Sequence, residues 1–299
     1  MSARLRTFFQ RVVPLTLVVL TAASVNQVPQ VRVPQNLGVR LGIVTATSAD
    51  HAAEHLEMVR SLTEVGFSGM LTVYFMYRTG EIEKDGEVLH VRARYSAALS
   101  EVSPSCEVIF FQVNTDYETY CFKPVIVQDY LNHVHVDVMM WTDSSTRFKG
   151  NPETWALNMV KDGIHFSGRE GAMGMGENTH IKTYEFFRTS ALELKERHEI
   201  QAGHWLADLN SDVFRAVIQP WIDCAVRSCH TCMSPSGSVR KLKRKQSGPP
   251  STEYIGHRQD QSVLSILLAQ WHAQGGRLHL NNHPRYIDLD VVRSFNTPL

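Results

Sequence analysis

The sequence predicts an α/β fold with a mostly parallel central sheet. Apolar runs of strand length occupy 40–46, 70–76, 107–112 and 136–141, and segments with helical periodicity lie between them. Strands that alternate with helices along a chain build parallel sheets that are covered on both faces. We therefore expect these four runs to be buried strands of one sheet, with the intervening helices packed against it.

The amino terminus predicts a targeting segment. Arg4, Arg6 and Arg11 precede an uncharged apolar stretch at 12–25, the layout of a signal anchor or a cleaved signal peptide. A helix over 12–25 would span about 21 Å, less than the ~30 Å hydrocarbon core, so anchor, cleaved peptide and disordered terminus all stay open. The polar residues 26–38 predict a stem or linker, and 39–299 then form one domain.

Helices are predicted between the first strands. Residues 50–65 repeat Ala53, Leu56, Val59 and Leu62 at three-residue spacing, and 96–101 predict a short helix. Residues 120–132 place four apolar side chains on one helical face, Val125, Ile126, Tyr130 and Leu131.

The second half of the chain is less regular. The five glycines of 163–176 predict a mobile loop, without the spacing of a phosphate loop or a dinucleotide fingerprint. Helices are predicted at 183–200, 208–221 and 261–272, and a last strand at 277–280. The basic run 239–245 is expected to be a solvated loop, with a nuclear signal or a patch for an acidic partner as the alternative.

Composition restricts the classes of partner and the cysteine chemistry. The formal net charge is +0, which gives no indication of nucleic acid or an acidic polymer as partner. The chain has 5 cysteines, too few for a disulfide scaffold. In an oxidising lumen we expect a disulfide from Cys224 to Cys229 or Cys232, with a zinc site at Cys229-x-x-Cys232 and free thiols as alternatives.

A candidate site follows the fourth predicted strand. Asp143 comes just after that strand, where open α/β sheets place their ligands at the carboxyl ends of the strands. Lys123 lies beside Pro124 at a predicted helix start. The alternative interpretations are an aspartate that caps a turn and a solvated lysine.

These residues resemble the centre of a GT-A-type nucleotide-sugar glycosyltransferase. The resemblance covers Lys123-Pro124, the strand 136–141 and Trp141-Thr-Asp143-Ser-Ser145. It extends to Gln201-Ala-Gly-His-Trp205 and to His257-Arg-Gln-Asp-Gln-Ser-Val-Leu264, in order across roughly 39–285. More narrowly, the chain resembles a poorly characterised GT-A-like family of invertebrates and protists.

The resemblance implies a GT-A-like, Rossmann-like single domain that moves a sugar from a nucleotide-diphosphate donor to a glycan or protein hydroxyl. Asp143 would hold a Mn²⁺ or Mg²⁺ diphosphate, although Ser145 replaces the second acid of the usual Asp-x-Asp motif. Lys123 would offset phosphate charge. The remaining donor-side candidates are Ser145, Arg147, Ala202 and Gly203, and Arg147 could instead form a salt bridge with Asp143.

On the acceptor side, the resemblance implies that Asp260 deprotonates a hydroxyl in an inverting enzyme, or orients sugar hydroxyls in a retaining one. An N-cap role for Asp260 is the alternative. His279 and His283 would add metal ligands. The pocket candidates are His204, Trp205, His257 and Gln261, and packing is the alternative for His204 and Trp205.

The resemblance also implies a UDP-sugar donor, a Golgi membrane protein with a luminal domain, and secretion if the amino-terminal segment is cleaved. An inactive GT-A-like carbohydrate-binding or scaffolding protein is the competing class, which the missing second acid favours.

Overall fold

The computed structural model describes residues 39–78, 86–103, 105–113, 119–160, 163–167, 175–194, 197, 199–235, 259–276, 279–281 and 287–288. The predicted anchor at 1–25, the linker at 26–38 and the basic loop at 239–245 lie outside these residues. Among the helices in the described ranges, none has the length and apolar character needed to cross a membrane.

One mostly parallel sheet organises the fold, as the sequence predicted. Its seven strands lie in the order β3-β2-β1-β4-β7-β6-β8. Only β7 runs antiparallel to its neighbours β4 and β6, and the other described pairings of this sheet are parallel. The strands are β1 (Leu41–Thr47), β2 (Met70–Arg78), β3 (Glu107–Val113), β4 (Val138–Asp143), β6 (Ile164–Ser167), β7 (His204–Asp208) and β8 (His279–Asn281).

A second, two-stranded sheet pairs β5 (Arg147–Phe148) with β9 (Ile287–Asp288). The described helices are α1 (Ala52–Glu64), α2 (Gly86–Val102), α3 (Phe122–His133), α4 (Pro152–Met159), α5 (Met175–Asn178), α6 (Ile181–Phe186), α7 (Ala191–Leu194), α8 (Gln219–Ser228) and α9 (Gln259–Ala273). Two π-helical segments, Phe214–Ile218 and Cys229–Met233, flank α8.

The central sheet separates two hydrophobic cores. On one face, Trp141 and Trp205 pack with residues of α3, α8 and α9. On the other face, Ile43 and Met140 pack with residues of α1, α2 and α4. Side chains of successive strand residues point to opposite faces, so β4 contributes alternately to both cores. The continuous burial of β1 and β4 is that of parallel strands covered on both sides.

The helix predicted at 96–101 is part of the longer α2, Gly86–Val102. Tyr95 and Leu99, one helical turn apart, are the residues that this helix buries completely. Charged residues fill much of the preceding sequence, so the apolar periodicity that predicts a helix is weak there.

The predicted single helix at 183–200 was wrong. The structure has α6 and α7 with a break between them, where Arg188 has φ of 54°. Ser190 starts α7, because its Oγ accepts from the Glu193 backbone N–H and the Glu193 carboxylate accepts from the Ser190 N–H. Ser190-x-x-Glu193 is a capping box, a start signal inside the predicted helix.

Two further boundaries differ from prediction. Residues 204–208 form β7, so the helix predicted from Asp208 starts after a turn in which Asp208 Oδ1 accepts from the Asn210 N–H at 2.9 Å. The loop predicted at 163–176 opens with β6, whose Ile164 and Phe166 are buried, and closes with α5. Residues 168–174 of that loop lie outside the described residues.

Candidate functional site

Three charged residues from separate elements meet at the carboxyl edge of the parallel strands. Asp143 is the last residue of β4, so the strand includes it, whereas the sequence predicted a strand that ends before it. Lys123 is the second residue of α3, and Asp260 is the second residue of α9. We name Lys123, Asp143 and Asp260 the charged cluster.

Lys123 bridges the two carboxylates of the charged cluster. Its Nζ lies 3.0 Å from Asp143 Oδ1 and donates to Asp143 Oδ2 at 3.2 Å. The same Nζ lies 3.2 Å from Asp260 Oδ2, an ion pair that does not meet the geometry of a hydrogen bond. The side chains of Lys123 and Asp260 are 7% exposed, against 35% for Asp143. Asp143 is therefore the member of the cluster that solvent or a ligand reaches.

Aromatic side chains complete the surroundings of the ammonium group. Trp141 Nε1 donates to Asp143 Oδ1 at 3.0 Å, which fixes the orientation of that carboxylate. Lys123 Nζ lies 5.5 Å from the centre of the Tyr120 ring and 5.9 Å from that of Trp141. Ring faces at this distance attract a cation and keep water away from it.

Gly203 lies directly against Asp143. Its carbonyl oxygen accepts from the Asp143 N–H at 2.8 Å, and a Cβ at position 203 would lie 2.9 Å from Asp143 Oδ2. Glycine is thus needed here for a close approach. The neighbouring Ala202, also predicted to bind the donor, is buried among apolar side chains.

Burial and charge act in opposite directions on the charged cluster. Burial disfavours the ammonium of Lys123, but Asp143 and Asp260 outweigh burial and raise the pKa of Lys123. Burial raises the pKa of Asp260, Lys123 opposes that shift, and Asp143 adds to it. Lys123 therefore stays charged, while Asp260 holds a proton more tightly than an ordinary aspartate.

Strained backbone flanks the site. Tyr120 has φ of 54° and Gln259 has φ of 36°, and these residues precede Lys123 and Asp260. A non-glycine residue in this region costs on the order of 1–3 kcal/mol and persists where the surrounding structure determines it. Such outliers are typical of functional sites.

Arg147 does not pair with Asp143, contrary to the predicted salt bridge. Its Nη1 donates to the carbonyl oxygens of Ser144 and Thr146, at 3.4 and 2.8 Å. The Thr146 N–H in turn donates to the Asp143 carbonyl oxygen at 3.1 Å. Arg147 therefore stabilises the turn after β4, and the half-buried Ser145 lies within that turn.

His204 and Trp205 lie inside the two cores, which agrees with the packing interpretation. His204 is on the face opposite the charged cluster, with its ring centre 6.1 Å from Phe148 and 6.5 Å from Trp155. Burial, and then His165, lower the pKa of His204 to about 3. Trp205 is fully buried and packs edge-on against Trp221. Neither side chain faces an open pocket.

Gln261 is also turned inward. Its Nε2 donates to a carboxylate oxygen of the buried Glu199 at 3.0 Å. The role of Gln261 in an acceptor pocket stays a prediction. His257, the other pocket candidate of this segment, lies outside the described residues.

The described residues do not fit a resident divalent cation. Asp143 is the partly exposed carboxylate of the site, and its oxygens already accept from Lys123 and Trp141. A dication on Asp143 would also lie close to the ammonium of Lys123, which repels it. No group of three or more His, Cys, Asp and Glu side chains within the described ranges could hold a metal ion. His279 lies in β8, where its side chain is not described, and His283 lies outside the described residues.

The cysteines form two disulfides. Cys224 is joined to Cys232, one of the two pairings that the sequence left open, and Cys121 is joined to Cys229. Sequence reasoning missed Cys121, because its partner is 108 residues away. Since Cys229 and Cys232 are both in disulfides, the zinc alternative is wrong. Cys121 directly precedes α3, so its disulfide anchors the end of the helix that carries Lys123.

Other residues of the site were also missed. Trp141 was predicted as a strand residue, yet its indole N–H binds Asp143, and Tyr120 was not recognised as a neighbour of Lys123. An aromatic residue two positions before an acid on a strand shares its face, and this spacing was a usable signal.

No protein-family model and no curated protein sequence matches the chain. Solved structures of glycosyltransferases are similar to it. Mouse xyloside xylosyltransferase 1 shares 13% identity over 81% of this chain and 85% of its own, with a TM-score of 0.44. Core-mannan synthase A from Aspergillus fumigatus, in a Mn/GDP form, shares 9% identity over 86% and 76%, with a TM-score of 0.45.

The glycosyltransferase GlyE from Streptococcus pneumoniae shares 13% identity over 77% of this chain, with a TM-score of 0.40. The alignment covers 43% of the GlyE chain. Alignments at these identities and TM-scores leave the reaction to be argued from the residues of this chain.

Proposed function

We propose that the chain is a glycosyltransferase that moves a sugar from a nucleotide-diphosphate donor to an acceptor hydroxyl at the charged cluster. The observation that carries the proposal is the buried ammonium of Lys123, held between Asp143 and Asp260 at the carboxyl edge of the sheet. Sugar transfer needs a positive charge for the leaving diphosphate and an acceptor for the hydroxyl proton. The charged cluster supplies both groups within one hydrogen-bonding distance of each other.

Sugar transfer exchanges one bond at the anomeric carbon for another. The acceptor oxygen forms a bond to the anomeric carbon while the bond from that carbon to the diphosphate oxygen breaks. The electron pair of the broken bond leaves with the diphosphate, whose charge Lys123 offsets. The hydroxyl proton goes to the carboxylate of Asp260, whose Oδ2 lies 3.2 Å from Lys123 Nζ.

Donor binding would strengthen Asp260 as a base. A diphosphate that draws Lys123 toward itself removes the positive charge that opposes the raised pKa of Asp260. The pKa of Asp260 then rises further, and the carboxylate takes a proton more readily. Donor binding and acceptor activation are in this way coupled through one lysine.

The nucleotide is expected to carry uridine, and the luminal Golgi location remains part of the same proposal.

The test is a thermal-shift titration of residues 36–299 with nucleotide diphosphates, with and without Mn²⁺. A nucleotide at a hundred times its Kd should stabilise the protein by about 2.7 kcal/mol, a rise in Tm of several degrees. Lys123→Gln should abolish the shift, because it removes the positive charge for the diphosphate, whereas Asp260→Asn should keep the shift and lose transfer. The exposed Asp212→Asn, also an aspartate-to-asparagine change, is the control.

Two results would contradict the proposal. A shift that survives in Lys123→Gln would place the nucleotide elsewhere. No shift with any nucleotide would favour the competing class, an inactive carbohydrate-binding or scaffolding protein, for which the serine at position 145 is the supporting observation.

A further inference from the structure

A buried carboxylate, that of Glu199, contacts the two residues of α9 that directly follow Asp260. The side chain of Glu199 is completely buried, on the segment that leads into β7. One carboxylate oxygen accepts from Gln261 Nε2 at 3.0 Å, and the other accepts from Ser262 Oγ at 2.7 Å. Gln261 and Ser262 directly follow Asp260, so Glu199 binds the first turn of the helix that carries the proposed base.

Ser265 joins the same two elements one turn further along α9. Its Oγ accepts from the backbone N–H of Ile200 at 3.0 Å and donates to the Gln261 carbonyl oxygen at 2.7 Å. Residues 199–200 therefore hold three side chains of α9 through one carboxylate and one backbone N–H. A buried carboxylate that binds side chains in this way is costly to disturb, since its donors would lose their acceptor.

The segment that contains Glu199 also touches Asp143. Four residues after Glu199, Gly203 accepts from the Asp143 N–H and lies against the carboxylate. One short stretch, 199–203, thus contacts β4 at one end and α9 at the other. This stretch therefore links the strand that ends in Asp143 to the helix that carries Asp260, and Lys123 bridges the two carboxylates.

We propose that Glu199 is a positioning residue that holds Asp260 in place through the first turn of α9. This inference rests on the proposed function for the role of Asp260, but the geometry that it describes does not. The relevant property of Glu199 is its pair of hydrogen-bond acceptors. Misplacing a reacting group by about 1 Å can cost on the order of 100-fold in rate, so loss of these acceptors should act on the chemical step.

The test compares Glu199→Met with Glu199→Gln. Methionine has a similar volume but accepts no strong hydrogen bond, so Gln261 Nε2 loses this acceptor, while Ser262 Oγ keeps the Asn178 carbonyl oxygen at 3.0 Å. Glutamine keeps one oxygen for Gln261 and an amide for Ser262. We expect Glu199→Met to lower kcat by about 10- to 100-fold with the nucleotide Kd unchanged, and Glu199→Gln to stay within about threefold of wild type. Glu185→Met, on the exposed face of α6, is the control.

Hydrogen exchange gives a readout that does not need activity. Amides of residues 259–265 should exchange faster in Glu199→Met, while those of β1 and β2 stay as in wild type. If Glu199→Met does not fold, Ser262→Ala removes one donor and should give the same pattern in milder form.

Unchanged exchange and unchanged kcat in both variants would overturn the positioning role, as would a Glu199→Gln defect equal to that of Glu199→Met. A wild-type protein that binds no nucleotide and transfers no sugar would refute the proposed function instead. In that case the exchange experiment still decides whether Glu199 positions α9.

Discussion

The two faces of the central sheet bury titratable groups in opposite charge states. On the face of α1 and α2, His55 is fully buried, and its ring nitrogens lie 3.2 Å from Thr45 Oγ1 and 2.7 Å from Tyr95 Oη. Burial, and then the charge of Arg147, lower the pKa of His55 to about 3. On the other face, Lys123 is also buried, and it remains charged.

The difference lies in the partners of each group. Hydroxyl groups satisfy the hydrogen bonds of His55 but bring no charge, so burial decides and the ring stays neutral. Lys123 has a carboxylate on each side, so charge decides. A protein keeps a buried charge only where it is paired, because an unpaired one costs several kcal/mol. The face that bears this cost is the face to which we assign the proposed sugar transfer.

Removal of the Lys123 ammonium should have the largest effect on the free energy of unfolding. Lys123→Met leaves Asp143 and Asp260 close together without a counter-charge, and breaking a buried pair costs about 3–5 kcal/mol. Because Asp143 is partly exposed, we expect the lower end, about 3 kcal/mol, in urea unfolding at neutral pH. The exposed Lys182→Met should change the free energy of unfolding by less than about 0.5 kcal/mol.

A double variant sharpens this result. Asp260→Asn in the Lys123→Met background removes one of the two unpaired carboxylates and should recover part of the lost stability. If Lys123→Met were as stable as wild type, the ion pairs of the charged cluster would carry no energy, and the contrast between the two faces would be lost.

Acid should destabilise the protein through the neutral histidines. A histidine with a lowered folded-state pKa binds fewer protons than in the unfolded chain, so its contribution is present above the unfolded pKa, near 6.5, and is lost as the pH falls toward about 3. The loss is about 1.4 kcal/mol per pH unit for each such group, or about 2 kcal/mol for His55 at pH 5. His204, whose pKa is also lowered to about 3, adds to it.

His55→Gln isolates this contribution, because glutamine keeps polar partners for Thr45 and Tyr95 but does not titrate. Urea midpoints between pH 7 and pH 5 should fall less steeply in His55→Gln than in wild type. The exposed His133→Gln is the control for the substitution itself. Equal slopes for all three proteins would mean that His55 is not held neutral.

The two faces also differ in how far the sequence predicted them. The strands β1 to β4 follow from continuous apolar runs, and Lys123, Asp143 and Asp260 were each proposed as site residues. Their meeting could not be derived from spacing, since they are distant in sequence and come from three elements. His55 lies in a predicted helix where nothing marks it as buried, and Glu199 lies in what the sequence predicted as a charged helix. Both side chains are held by hydrogen bonds to residues that are distant in sequence, and a single sequence does not reveal such bonds.

A single added methyl group should give the smallest effect. Gly203→Ala places a Cβ 2.9 Å from Asp143 Oδ2, so the carboxylate must shift by a few tenths of an ångström. Overpacking of this kind costs about 1–3 kcal/mol, and we expect the lower end because Asp143 has open space on its exposed side. The same shift should weaken nucleotide binding about tenfold, since the orientation of Asp143 toward Lys123 and Trp141 changes.

Gly42→Ala is the matched control for that variant. Its Cβ would meet the buried Tyr130 hydroxyl and Val136, which belong to the same hydrophobic core. Gly42 pairs with Met139 of β4, four residues before Asp143. It should lower stability at least as much as Gly203→Ala, while the folded fraction binds nucleotide with wild-type affinity in calorimetric titration. Equal affinity losses in the two variants would show that binding tracks overall stability. A loss confined to Gly203→Ala would show that the placement of one carboxylate sets the affinity.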